Sequence, residues 1–184
     1  MLGSRGAERT GVCARHGGLQ DSLVPGGKSD AGLGIMTTLF IDADACPVKE
    51  EAYKVADRYG AAVAVVSNSW IRVPKHPRIT LQVVAAGPDV ADDWIAERAR
   101  KGDVVVTADT PLADRALKAG AQAIHPAGRP YTPDSIGGAL ASRAVGEHLR
   151  SFGEMTGGPK PFTPADRSRF LQALDAAIVR ARRG

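Results

Sequence analysis

The fold of this chain is decided by residues 39–49, which read Leu-Phe-Ile-Asp-Ala-Asp-Ala-Cys-Pro-Val-Lys. A short apolar run ends in two acids one residue apart, and a proline then opens a helical pattern. Such runs are typical of buried strands in parallel sheets, whose carboxyl ends form the ligand-binding edge. The stretch therefore predicts a β-strand that delivers Asp42 and Asp44 to this edge, with both side chains on the same side of the strand.

The pair Asp42 and Asp44 has two interpretations. Two carboxylates this close repel each other unless a cation, a proton or a positive side chain lies between them, which favours a metal site. Acids are also preferred at the start of a helix, where they cap free N–H groups and interact favourably with the helix dipole. This stretch alone leaves both interpretations open.

Strand and helix patterns alternate from residue 37 to residue 125. Apolar runs predict strands over residues 38–42, 61–67, 79–85, 103–107 and 121–125, and amphipathic patterns predict helices over residues 47–59, 88–101 and 111–119. A loop over residues 126–132 and two further helices, over residues 133–152 and 164–182, are predicted to follow. This order predicts an α/β fold of three layers, with a mostly parallel sheet of about five strands, helices on both faces, and C-terminal helices from about residue 133.

Composition restricts the class of protein and its compartment. The chain of 184 residues is 43% hydrophobic and 24% charged, as in ordinary globular proteins, and no apolar run is long enough to predict a membrane span. Only Cys46 lies in the part predicted to fold, so a reducing cytoplasm is the expected location. The net charge of +4 permits a polyanionic partner without requiring one.

Residues 1–35 differ from the rest of the chain. They are rich in glycine, contain no aromatic residue and show no apolar period. Such a segment cannot bury enough apolar surface to offset its ordering entropy. We expect these residues to be either a disordered extension or the result of a mis-assigned start, in which case Met36 is the natural first residue. Residues 36–184 are expected to form a single domain.

Four acids are predicted to face one crevice at the edge of the sheet. Asp42 and Asp44 follow the first strand, and Asp109 follows the fourth. In the helix before the fourth strand, Asp92 lies at the border of the apolar stripe, whereas Asp93 points to solvent. Carboxylates without His or Cys suit Mg²⁺ or Mn²⁺, and one or two such ions can promote an in-line phosphoryl displacement.

Small polar residues end two of the strands at the same edge. Ser67 and Asn68 close the second strand, and Thr107 closes the fourth. They either position a phosphate or a metal-bound water, or simply begin loops. Cys46 is interpreted as a small buried residue at a tight turn, since no His lies nearby in sequence to make it a nucleophile.

The loop over residues 70–78 combines an aromatic residue with several cationic ones. Arg72 and Lys75 would contact a nucleic-acid backbone, with Trp70 stacking on a base. The alternative is a solvated loop whose tryptophan packs on the domain. The sequence leaves these two interpretations about equally supported.

Six motifs follow one another along the chain: Asp-Ala-Asp-Ala-Cys-Pro at residues 42–47, Arg-Val-Pro at 72–74, Gly-Pro-Asp-Val-Ala-Asp at 87–92, Thr-Ala-Asp-Thr-Pro-Leu-Ala at 107–113, Tyr-Thr-Pro at 131–133 and Thr-Gly-Gly-Pro at 156–159. Together they resemble the successive motifs of the YaiI/YqxD family of small bacterial proteins. The resemblance implies a relationship to PIN-like nucleases, and hence a parallel α/β sheet whose edge acids bind Mg²⁺ or Mn²⁺. The matching acids are Asp42, Asp44, Asp92 and Asp109.

The expected function is that of a Mg²⁺- or Mn²⁺-dependent nuclease or phosphodiesterase acting on RNA or another phosphoester. The four acids would hold the metal and carry catalysis, and substrate contacts would come from Ser67, Asn68, Arg72, Lys75 and Thr107. One alternative is a phosphatase resembling the haloacid-dehalogenase-like enzymes, with Asp42 as nucleophile, although Cys46 stands where Thr or Val is usual in them. Another is a non-catalytic protein that binds metal or nucleic acid.

Overall fold

A computed structural model describes residues 36–44, 46–151 and 162–184 of the chain. The expectation for residues 1–35, and the last of the six motifs at residues 156–159, lie outside the described residues. Within the described ranges no helix is long and apolar enough to span a membrane.

In the described part of the chain six strands form one sheet, which is parallel except at one edge. The strands are β1 (Thr38–Asp42), β2 (Ala62–Ser67), β3 (Ile79–Val83), β4 (Val104–Val106), β5 (Gln122–Ile124) and β6 (Pro130–Tyr131). Their order across the sheet is β3-β2-β1-β4-β5-β6, and only β6 pairs in the antiparallel direction. The central strand β1 pairs with β2 on one side and β4 on the other, so these three strands end side by side.

Five helices within the described ranges cover the two faces of the sheet. They are α1 (Lys49–Tyr59), α2 (Val90–Arg98), α3 (Thr110–Lys118), α4 (Pro133–Ser151) and α5 (Pro164–Arg183). Buried residues of α1 and α5 join one apolar cluster, and buried residues of α2, α3 and α4 join the other. The three-layer α/β architecture predicted from the sequence is therefore confirmed.

Alternation along β1 explains how the two clusters are filled. Leu39 and Ile41 are buried beneath α1 and α5, and Phe40 is buried beneath the other helices. Because successive side chains of a strand point to opposite faces, Asp42 lies on the same side as Phe40. The last residue of β1 therefore faces the side that carries α2 and α3.

Several boundaries differ from the sequence prediction. The first helix begins at Lys49, because Pro47 and Val48 form a turn ahead of it. The second begins after Asp89, whose φ of 60° is left-handed, and ends where Ala99 becomes extended.

The sixth strand lies within residues 126–132, for which the sequence predicts a loop. A tight turn ending at Gly128, with φ of 78°, reverses the chain. Pro130 and Tyr131 then pair with β5. A proline is tolerated there, because this is an edge strand that needs no donor on its outer side.

Candidate metal and phosphoester site

Asp42 is the most enclosed of the predicted acids. Its side chain lies at the end of the central strand and is 7% exposed. The hydroxyl of Thr107 donates a hydrogen bond to Asp42 Oδ2 over 3.0 Å. Burial raises the pKa of Asp42. The hydrogen bond from Thr107 lowers this pKa, and the nearby negative charges of Asp44 and Asp109 raise it further. The hydrogen bond from Thr107 thus holds this carboxyl group in place but offsets only part of the cost of burying its negative charge.

Asp44 lies beyond the strand, in the turn before α1, so strand alternation no longer determines its direction. It is exposed, and its Oδ1 accepts a hydrogen bond of 3.2 Å from the hydroxyl of Ser67 at the end of β2. The Ser67 hydroxyl is fully buried and also accepts the N–H of Ser69. Ser67 therefore positions Asp44 and also shapes the loop, whereas Asn68 beside it is exposed.

Asp92 lies near enough to Asp109 and Asp42 to be affected by their charges. It is half-buried in the first turn of α2, and its pKa rises to about 6. Burial is the largest cause, followed by the negative charges of Asp109, Asp42 and Asp89, while Arg115 acts in the opposite direction. Asp92, Asp109 and Asp42 are thus close enough to repel one another across the edge.

The two neighbouring acids of α2 have other environments. Asp93 is exposed and forms an ion pair with Arg115, with 2.7 Å between Oδ1 and Nη1, as expected for a residue pointing to solvent. Asp89 occupies the N-cap position without a capping hydrogen bond from its side chain. Its negative charge instead adds to the field around Asp92.

Asp109 combines the capping role with a place at the acidic edge. Its Oδ2 accepts the N–H of Leu112 at 2.9 Å, which caps α3, and its Oδ1 pairs with the guanidinium group of Arg143. The N–H of Asp109 donates to the Thr107 hydroxyl at 2.9 Å, and that hydroxyl donates in turn to Asp42. Thr107 therefore couples Asp109 to Asp42 through one oriented hydroxyl.

The donor chemistry of this edge fits Mg²⁺ or Mn²⁺, because every candidate ligand is a carboxylate oxygen. Among residues 36–44, 46–151 and 162–184, however, no group of three or more His, Cys, Asp or Glu side chains is arranged to hold a metal ion. Asp44 turns toward β2, and Asp109 is engaged by its helix and by Arg143. Mg²⁺ commonly binds one or two carboxylates and completes its coordination with water and substrate phosphate. The acids at this edge can supply one or two such carboxylates.

Two cations at the edge were missed by sequence reasoning. The Nζ of Lys49, in the first turn of α1, donates to the carbonyl oxygen of Ala43 at 3.1 Å. Arg143 reaches Asp109 from α4, far along the chain. Lys49 stands two residues after the motif at residues 42–47, and this proximity is the sequence signal that could have identified it. No local pattern marked Arg143.

The basic loop between β2 and β3 extends into solvent. Arg72 and Lys75 are exposed, and within the described part of the chain no hydrogen bond or ion pair joins them to the acids. The side chain of Trp70 is 74% exposed, which disfavours the interpretation that this ring packs on the domain. Cys46 is 3% exposed, and burial raises its pKa to about 11, which fits a buried residue at a turn and disfavours a nucleophile.

Comparison with known proteins places this arrangement in a family context. A family model described as "Uncharacterized BCR, YaiI/YqxD family" matches residues 40–180. The chain is 70% identical to the UPF0178 protein of Caulobacter sp. strain K31 over 148 residues, which cover 80% of this chain and 98% of the relative. It is 68% identical to the UPF0178 protein of Caulobacter vibrioides strain NA1000 over 149 residues, or 81% of this chain and 97% of the relative. The UPF0178 protein of Azorhizobium caulinodans is 62% identical over 146 residues, or 79% of this chain and 92% of the relative.

Proposed function

The chain belongs to the YaiI/YqxD family, and we propose that its acidic edge makes it a Mg²⁺- or Mn²⁺-dependent nuclease or phosphodiesterase acting on RNA or another phosphoester. The family description and the names of the relatives state no reaction. The proposal therefore rests on the chemistry of the site.

The observation that supports it is the convergence of carboxylates from separate parts of the chain. Asp42 ends β1, Asp92 lies in the first turn of α2, and Asp109 precedes α3. Beyond the effect of burial, the negative charges of Asp109 and Asp42 both raise the pKa of Asp92. Helix capping accounts for Asp109 but not for the buried Asp42. A divalent cation is the usual compensation for carboxylates brought together in this way.

In this proposal one or two of the acids Asp42, Asp44, Asp92 and Asp109 would bind the cation directly, and the others would bind it through its water ligands. When bound, such an ion supplies Lewis-acid activation of the phosphoester and of water. Thr107 and Ser67 fix the orientations of Asp42 and Asp44 through their hydroxyl groups.

The loop between β2 and β3 would hold the substrate. Arg72 and Lys75 are exposed cations that can bind phosphate groups, and Asn68 is an exposed amide at the start of the same loop. The exposed ring of Trp70 offers a face on which a base can stack.

A phosphatase of the haloacid-dehalogenase-like type is the second candidate. It is favoured by Lys49, whose ammonium group lies at the Ala43 carbonyl between the two acids of the first motif. It is disfavoured by the position of Asp42, because an attacking carboxylate oxygen must reach the phosphorus atom of the substrate, whereas this group is buried and hydrogen-bonded to Thr107. Trapping of an aspartyl-phosphate on Asp42 would establish this alternative in place of the nuclease.

The decisive experiment is calorimetric titration of Mn²⁺ and Mg²⁺ into the wild type and the Asp42→Asn/Asp109→Asn double variant. The matched control is Asp57→Asn/Asp175→Asn, which removes the same charge from α1 and α5 on the opposite face. We expect binding that is lost in the first variant and kept in the control, together with metal-dependent cleavage of single-stranded RNA or bis-p-nitrophenyl phosphate. Absence of binding near millimolar metal would refute the proposal, and binding without any cleavage would support the non-catalytic alternative.

A further inference from the structure

An open cleft of about 470 Å³ lies beside the acidic edge. It is bounded by the residues on either side of Asp109, by the turn after β5, by β6, and by the first turns of α4. Its volume falls within the range of small-molecule sites and suits a single nucleotide unit better than a base pair. Ala108 and Thr110, the neighbours of Asp109, line the cleft, so one extended ligand could reach both the cleft and the acidic edge.

The cleft is lined by cations and hydroxyl groups. Arg129 and Arg143 supply two guanidinium groups, and Ser135 and Ser142 supply hydroxyls. Among the lining residues that the structure describes, none carries a carboxylate. Arg129 and Arg143 line the same cleft, so one ligand there can reach both guanidinium groups.

The wall that carries Arg129 is rigid. The N–H of Gly128 donates to the carbonyl of His125, and the N–H of His125 donates to the carbonyl of Arg129, each at 2.8 Å. A Cβ at Gly128 would lie 2.5 Å from the backbone of α5, so the turn is seated tightly against that helix. Since the Nδ1 of His125 accepts the N–H of Ala127 at 3.0 Å, the neutral ring has Nε2–H as its remaining donor.

Arg143 joins the cleft to the candidate metal site. Its guanidinium group lines the cleft and pairs with Asp109 at the acidic edge. A ligand group bound by Arg143 would therefore lie directly beside the carboxylates. A guanidinium group can donate two parallel hydrogen bonds to the oxygens of one phosphate group, and its positive charge strengthens both. Adjacent hydroxyl groups can donate further hydrogen bonds to the same ligand.

We propose that this cleft binds the phosphate group of a nucleotide adjoining the scissile phosphodiester in a single-stranded nucleic acid, with Arg129 and Arg143 as the phosphate ligands. The hydroxyl of Ser142 contacts the same nucleotide, whereas that of Ser135 is hydrogen-bonded to Thr132. This inference rests on the proposed function, because it assigns the substrate of that same edge. It adds a binding site separate from the loop that carries Arg72.

The test measures binding of a short fluorescein-labelled single-stranded RNA by fluorescence anisotropy, in EDTA to prevent cleavage and over a range of salt concentrations. The variants are Arg129→Gln and Arg129→Lys, and the control is Arg58→Gln, which removes the same charge from α1 on the opposite face. Loss of one charged hydrogen-bonding group should weaken binding by Arg129→Gln about tenfold. It should also reduce the salt dependence by about 0.7 in the slope of log K against log salt. Arg129→Lys should restore the slope but only part of the affinity, because lysine keeps the charge and loses the planar fork.

If Arg129→Gln binds RNA as tightly as Arg58→Gln, the cleft is not the binding site. A wild type that binds no RNA either in EDTA or with Ca²⁺ present in place of the proposed catalytic cation leads to the same conclusion. Calorimetry with Mn²⁺ on the same proteins separates this result from failure of the proposed function. Metal binding and hydrolysis of bis-p-nitrophenyl phosphate would persist if only the cleft assignment were wrong.

Discussion

Replacement of Asp92 by asparagine should stabilise the metal-free protein at pH 8. The carboxyl group is half-buried beside Asp109 and Asp42, and its pKa is raised from 3.8 to about 6. A rise of this size corresponds to about 3 kcal/mol of unfavourable interaction of the charged form. Because water reaches part of the side chain and screens these charges, we expect Asp92→Asn to increase the free energy of unfolding by about 1 to 1.5 kcal/mol.

The same shift fixes how this gain depends on pH. An acid whose pKa is higher in the folded state than in the unfolded state binds more protons when folded. The contribution of Asp92 to stability is therefore lost as the pH rises from about 4 to about 6, and then stays constant. The difference between Asp92→Asn and the wild type should be small near pH 4 and reach its full size above pH 6.

Urea unfolding in EDTA, followed by circular dichroism at several pH values, measures this difference. Asp93→Asn is the matched control, because it removes the same charge from the same helical turn but breaks an exposed ion pair with Arg115, worth about 0 to 1 kcal/mol. A variant no more stable than the wild type at pH 8, or a gain independent of pH, would refute the account of Asp92. If the proposed cation site is correct, Mn²⁺ at about ten times its Kd should stabilise the wild type by about 1.4 kcal/mol, and the Asp92→Asn variant by less.

Three further predictions concern other parts of the molecule. Gly128→Ala should lower the free energy of unfolding, measured in urea, by at least about 2 kcal/mol, because the added Cβ would meet the backbone of α5 and the φ of this residue is positive. Gly137→Ala in α4, where the added Cβ meets no atom, should raise the free energy of unfolding by about 0.5 to 1 kcal/mol. Equal changes in the two variants would contradict this prediction. Asp103→Ala should lower the free energy of unfolding by about 1 to 3 kcal/mol. The carboxylate of Asp103 accepts the backbone N–H groups of Thr38 at 2.9 Å and Arg100 at 3.1 Å, and the variant would leave both unpaired. An unchanged free energy of unfolding in the same assay would show that these two hydrogen bonds do not stabilise the fold. Arg143→Gln should bind Mn²⁺ about two to five times more tightly by calorimetry, since it removes the competing cation from Asp109; weaker binding would show that Arg143 supports the site.

Much of the fold and part of the site could be predicted from local patterns. The apolar run before Asp42 was enough to predict β1 with the boundaries that the structure shows, because a strand buried on both faces needs uninterrupted apolar residues. Parallel pairing then brings the ends of β1 and β4 together, which places Asp42 beside Thr107. The border position of Asp92 on its helix likewise followed from helical periodicity.

The rest depended on contacts between distant elements. Arg143 meets Asp109 only because α4 packs across α3, and nothing in the sequence near either residue encodes that packing. Residues 126–132 gave no strand pattern, because β6 has only two residues and exists through its pairing with β5. Asp44 departed from strand alternation because β1 ends two residues before it, and its contact with Ser67 then decides where it points.

Asp109 shows why the capping and metal interpretations of these acids do not exclude each other. A carboxylate has two oxygens: here Oδ2 caps α3 by accepting the N–H of Leu112, while Oδ1 faces the edge and pairs with Arg143. The helix thus fixes the position of the group through Oδ2 and leaves Oδ1 outside the cap, in a carboxylate close to Asp42 and Asp92. A cation that enters this crevice meets a guanidinium group already bound to that oxygen, so Arg143 must move away or share it. Since Arg143 also lines the adjoining cleft, its release from Asp109 would increase the positive charge available to a phosphate group there, so that binding of the cation and of the phosphate would favour each other.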